Sequence, residues 1–107
     1  MTIDFSNIAE EQVFGFKGGE GEALIRTYVD DRTRVMRITL KPGASGGCHE
    51  HATNCEVIMV LDGEMTFYDN DEKEIVGAGV VHYCPMGHRH WFVNHTDRDV
   101  HYLAIVI

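Results

Sequence analysis

Two residues, Asp62-Gly63, separate two strand-like segments, 55–61 and 64–69. A link that short leaves room only for a reversal between two extended segments, and Asp-Gly suits a type I′ turn, in which both residues take positive φ. The pattern predicts a hairpin pairing Leu61 with Glu64, Val60 with Met65 and Ile58 with Phe67. The rest of the chain reads the same way. Residues 23–29 run into an Asp30-Asp31-Arg32 turn, and 34–40 place Met36, Ile38 and Leu40 at alternate positions. Lys41-Pro42-Gly43-Ala44 suits a type II turn, and Asn70-Asp71-Glu72-Lys73 makes another. Segments 80–84, 90–94 and 100–107 complete the strands. No segment carries a long helical period. Short, evenly spaced strands predict an all-β sandwich or barrel, and 107 residues are enough for one domain.

Residues 1–22 read as an N-terminal lead-in and 23–107 as the β-barrel domain. Ser6 suits the cap of a short helical turn reaching Glu11. Gly15, Gly18, Gly19 and Gly21 read as a flexible linker, because no Gly-Lys-Ser/Thr follows them and their spacing misses GxGxxG. Lys and Arg total 9 against 17 Asp and Glu, a formal net charge of −8. Such a surface repels phosphate backbones and anionic lipid, so neither nucleic acid nor membrane is an expected partner. The longest apolar runs, 57–61 and 103–107, fall well short of the roughly 20 residues a spanning helix needs. The first residues lack the basic and apolar regions of a signal peptide. Cys48, Cys55 and Cys84 cannot all pair within one chain, which fits reduced thiols in a cytoplasmic protein.

Seven histidines stand out against nine other basic residues. His49 and His51 are two apart, so on an extended segment they share a face. Glu56 follows at the start of the next strand, and His90 opens a later one. Imidazoles and a carboxylate suit one divalent transition metal, with Fe, Mn, Ni, Zn and Cu not distinguished. Four protein donors in a six-coordinate shell leave two positions open for a small molecule or dioxygen.

These residues carry a resemblance. Gly43, His49, His51, Glu56 and Gly63 fill every position of G-x5-H-x-H-x4-E-x6-G, and Gly79, Pro85, Gly87, His90 and Asn94 fill every position of G-x5-P-x-G-x2-H-x3-N. The chain resembles the cupins, which carry those two motifs. The resemblance implies a double-stranded β-helix, a jelly-roll barrel, with His49, His51, Glu56 and His90 as metal ligands inside it. It also implies a range of activities: dioxygenases, decarboxylases, isomerases and lyases share this ligand set, and the fold does not choose among them.

Alternation puts Ile58 and Val60 beside Glu56, and Phe92 and Asn94 beside His90. With the hairpin register, Met65 and Phe67 join them, while Thr66 and Tyr68 point away and Asp69 lies opposite Glu56. The expected substrate pocket is therefore Ile58, Met65, Phe67 and Phe92, with Tyr102 added if its strand turns that residue inward. An apolar wall short of acid–base groups favours dioxygenase-type or Lewis-acid chemistry on a small molecule; a non-catalytic module that binds a small ligand or metal is the alternative. His88 reads as an exposed loop residue, and His82, His95 and His101 as polar residues without a motif role. Val57, Met59, Leu61, Leu103, Ile105 and Ile107 make the outer faces apolar as well, which points to a homodimer; the resemblance implies the same.

Overall fold

The computed structural model describes all 107 residues. Ten strands follow one another: β1 (Glu11–Phe14), β2 (Glu22–Val29), β3 (Arg34–Leu40), β4 (Ser45–Glu50), β5 (Glu56–Asp62), β6 (Glu64–Asp69), β7 (Glu72–Gly77), β8 (Val81–Cys84), β9 (Arg89–Val93) and β10 (Val100–Val106). They form two antiparallel sheets, a six-stranded one ordered β1-β2-β3-β10-β5-β8 and a four-stranded one ordered β4-β9-β6-β7. Two short 3-10 turns, Phe5–Asn7 and Phe16–Gly18, are the only helical pieces. No helix is long and apolar enough to cross a membrane.

The sheets pack face to face, and the alternation read from sequence decides which side chains lie between them. Ile25, Met36, Ile38, Leu40, Ile58, Val60 and Tyr102 come from the larger sheet, and Met65, Phe67, Val76 and Phe92 from the smaller. Each large side chain so buried contributes about 1.5–3 kcal/mol relative to exposure. Phe92 lies so close to β4 that a Cβ on Gly46 would sit 2.4 Å from its ring, so only glycine fits there.

The Asp62-Gly63 link does not make the expected hairpin. β5 pairs with β10 and β8, whereas β6 pairs with β9 and β7, so the link carries the chain from one sheet to the other. Gly63 has φ +93°, but Asp62 has no positive φ, so a type I′ turn does not form. The register against β10 also skips Leu61: His101 faces Asp62 while Tyr102 faces Val60. Such a bulge bends the strand, here at the corner. The positive-φ pair is instead Asn70 and Asp71, which join β6 to β7 with Asp69 opposite Glu72. Asp69 therefore faces His90 and Glu72, not Glu56. Met65 and Phe67 still meet Ile58 and Val60, but across the barrel and not along a ladder. Thr66 is buried as well, and Tyr68 stacks on Trp91 with ring centroids 4.1 Å apart.

The N-terminal segment also differs from its reading. Asp4, not Ser6, caps the first turn, accepting from the Ser6 amide. Glu11–Phe14 pairs with β2 and extends the large sheet. The glycine-rich stretch lies against β4: a Cβ on Gly19 would come within 2.2 Å of the Ser45 carbonyl oxygen, and one on Gly47 within 2.1 Å of the Lys17 carbonyl oxygen. Close backbone contact explains Gly19 and Gly47, and positive φ explains Gly15, Gly18 and Gly21. β4 escaped notice because Ser-Gly-Gly-Cys-His-Glu shows no apolar alternation, and β7 because its first three residues are charged.

Candidate metal centre

His49 near the end of β4 lies directly opposite His90 on β9 in the small sheet. His51 follows β4, its backbone tied by an amide bond to the His88 carbonyl and by its own carbonyl to the Gly87 amide. That tie depends on the Pro85–His88 turn, closed by a 3.0 Å bond and carrying Gly87 at φ +90°. Glu56 opens β5 and reaches in from the large sheet. The link between β4 and β5 thus brings together donors from both layers.

His49 Nε2 lies 3.0 Å from His90 Nε2, which lies 3.1 Å from His51 Nε2. Glu56 Oε1 is 3.0 Å from His90 Nε2, 3.3 Å from His51 Nε2 and 4.0 Å from His49 Nε2. All four donor atoms lie within 4.8 Å of one another. An ion about 2.1 Å from each donor needs neighbouring donors about 3.0 Å apart and opposite ones about 4.2 Å apart. Four of these separations, 3.0–3.3 Å, match neighbouring donors, and the 4.0 Å between Glu56 and His49 is close to that of an opposite pair.

Proton placement gives a second reason for a cation. His49 Nδ1 is 2.8 Å from the Gly47 carbonyl oxygen, and His51 Nδ1 is 2.6 Å from Asn54 Oδ1. A carbonyl oxygen only accepts, so both Nδ1 atoms carry the proton and both Nε2 atoms present lone pairs. Glu56 Oε1 is buried without a hydrogen-bond partner. Acceptors therefore converge on one point with no donor among them, which is costly unless a cation or a proton enters. A proton does so when no metal competes: the hydrogen bond to Glu56 raises the His51 pKa above its usual value. Burial pulls His49 the other way, below its usual value. Burial alone would also raise Glu56, but the neighbouring His51 and His90 hold it down at about 2. The His/Glu cluster is thus capable of holding a metal ion.

Ile58, Met65, Phe67, Phe92 and Tyr102 are all buried and belong to the packed core. None of the five lines the cleft of about 530 Å³ through which His49 and His51 face solvent. That cleft is walled by Met36, Val106 and Ile107 and rimmed by Lys17, Arg32 and Arg34, with Asp30, Asp31 and Glu50 also present. Asp30 is already occupied by the Arg32 and Thr33 amides and the Tyr28 hydroxyl. Tyr102 does turn inward, its hydroxyl buried without a partner and its pKa raised by burial and the Glu56 charge. His88, half exposed, bonds to Asp69 at 2.8 Å.

His82 is the residue that sequence reasoning missed. It is buried, its Nε2 is 3.0 Å from His90 Nδ1, and its Nδ1 bonds to Glu74. With Val80, Val81, Tyr83 and Cys84 around it, no polarity pattern along β8 marks its inward face.

A family model for the cupin domain matches residues 36–106. An oxalate-binding protein of Thermotoga maritima is 31% identical over 113 residues, covering 100% of this chain and 93% of the relative. A crystal structure from Thermotoga maritima, described as a predicted oxalate decarboxylase, superposes with a TM-score of 0.92 at 30% identity over 100% of this chain and 98% of the other. A polyketide cyclase from Streptomyces resistomycificus shares the fold, with a TM-score of 0.80 at 24% identity over 99% and 78% of the two chains.

Proposed function

The chain belongs to the cupin superfamily, and on that premise we propose that it binds one divalent transition metal through His49, His51, Glu56 and His90 and takes a small carboxylate, oxalate first among candidates, as its ligand. The observation that carries the metal is the convergence of acceptor atoms 3.0–4.0 Å apart around a carboxylate oxygen with no donor. Fe, Mn, Ni, Zn and Cu all suit the donor set. The ligand class rests on two supports: the name of the Thermotoga relative, and the Lys17, Arg32 and Arg34 side chains on the rim of the cleft.

A bound divalent ion supplies Lewis acidity, and a redox-active one supplies electrons as well. The chain's own residues hold and orient it, keep Glu56 ionised and close the barrel behind it with Phe67 and Phe92. A metal-dependent enzyme with dioxygenase-type or Lewis-acid chemistry is favoured by the two positions that four donors leave open. A non-catalytic binding module is favoured by Tyr102, the sole titratable side chain among the five core residues above, which is held neutral and lies away from the cleft. The apolar outer residues Val57, Met59, Leu103 and Ile105, half-buried in the monomer, support a homodimer, measurable by light scattering. Three free cysteines support a reducing, cytoplasmic setting.

Elemental analysis of protein purified without added metal tests the site. We expect about one ion per chain, lost in His49→Ala and His90→Ala while the fold persists. Metal content near zero, unchanged after each of the five ions is added, refutes it. Calorimetry with oxalate should show binding to loaded but not to stripped protein. Turnover with oxygen uptake or carbon dioxide release selects the enzyme; saturable binding without turnover selects the module.

A further inference from the structure

The three imidazoles of the cluster are not held alike. His49 gives its Nδ1 proton to a backbone carbonyl, which leaves no choice of tautomer, and His51 Nδ1 faces the Asn54 side-chain carbonyl. His90 Nδ1 instead faces another imidazole, His82 Nε2, at 3.0 Å. An imidazole nitrogen can donate or accept, so this contact alone leaves His90 undecided between its two tautomers. The next group decides. His82 Nδ1 bonds to the carboxylate of Glu74, which when ionised only accepts. The proton must then sit on His82 Nδ1. In a neutral ring that makes His82 Nε2 an acceptor, so His90 Nδ1 donates to it. The lone pair of His90 is left on Nε2, aimed at Glu56, His49 and His51.

We propose that His82 is a positioning residue for the metal ligand His90, and that Glu74 sets the tautomer of both rings from the protein surface. The proposal rests on the metal reading above. Its geometry is built from three strands. Glu74 lies on β7, the edge of the small sheet, and His82 on β8, the edge of the large one. The two side chains meet across a gap that no backbone ladder bridges. His82 stacks on Phe67 with centroids 4.0 Å apart at 13°, and lies edge to edge with His90, centroids 5.3 Å apart and planes 17° off parallel. Its ring is fully buried, whereas the Glu74 side chain is half exposed. A buried histidine packed this closely could have been served by an apolar ring of similar shape. What a histidine adds is an acceptor for His90 on one side and a donor to Glu74 on the other. Partners behind a ligand commonly fix its orientation and raise its basicity, and losing one typically costs about 10–100-fold in metal affinity.

Two measurements test this. Long-range proton–nitrogen NMR on metal-free, ¹⁵N-labelled protein should show the Nδ1–H form of both His82 and His90. In Glu74→Gln the amide can donate to His82 Nδ1, so part of the His90 population should move to Nε2–H. Zinc(II) affinity, measured by chelator competition, should fall about 10–100-fold in His82→Phe and recover in large part in His82→Gln, whose amide oxygen can accept from His90. An Nε2–H form of His90 in the wild type overturns the proposal. So does a His82→Phe protein that melts lower yet binds zinc as the wild type does, because that is a purely structural clamp. If His82→Phe does not fold, Glu74→Gln at its half-exposed position decides by the same NMR signal. A wild type that binds no zinc sinks the metal reading alone, and the tautomer of His90 in metal-free protein still decides the relay.

Discussion

Replacing Glu56 by glutamine removes the one formal charge that the donor cluster owns while keeping its shape. In the metal-free protein its contacts with His51 and His90 hold that carboxyl at about 2 against an ordinary 4.5. A depression of that size corresponds to about 3 kcal/mol of stability at pH 7. The sign follows from the direction. A carboxyl depressed by folding stabilises fully above its unfolded pKa, and the contribution drains away as pH falls from 4.5 through 2. Glu56→Gln should therefore cost about 3 kcal/mol at pH 7, or about 12 °C in melting temperature for a domain of this size. At pH 3 the gap should narrow to about 1 kcal/mol. Urea unfolding of both proteins at pH 7, 5, 4 and 3, with chelator present, measures it. A gap below about 0.5 kcal/mol at pH 7, or one that does not shrink in acid, would refute the ion-paired reading of the cluster.

Two further outcomes follow from the same geometry. The raised His51 pKa favours a proton in the metal-free cluster, so zinc binding should release protons. Affinity should fall as pH drops from 8 to 6, with more protons released at the lower pH; calorimetry in buffers of different ionisation enthalpy reads the number, and zero release would contradict the site. Tyr102→Phe deletes a buried hydroxyl that has no partner. Such orphans cost about 1–3 kcal/mol, so the variant should be as stable as the wild type or about 1 kcal/mol more stable in urea. A loss above about 1 kcal/mol would mean that the hydroxyl is satisfied in solution.

Much of this protein is written locally. Alternating Met36, Ile38 and Leu40 in 34–40 determined which face of β3 goes inward, because side-chain direction along a strand needs only the chain's own period. The Pro42-Gly43 turn formed as read, with its amide bond from Ala44 to Lys41 and Gly43 at φ +75°. The spacing of His49, His51, Glu56 and His90 marked the donors, because residue type and order are enough to nominate ligands. Partnership across the barrel was not legible. Asp62-Gly63 looks the same whether the chain doubles back or turns a corner, and only the competition of β10 and β8 for β5 sends β6 to the other sheet. The same holds for Glu74 and His82, eight residues apart on strands from different sheets. Their meeting depends on how two sheet edges approach, a distance that no local pattern encodes.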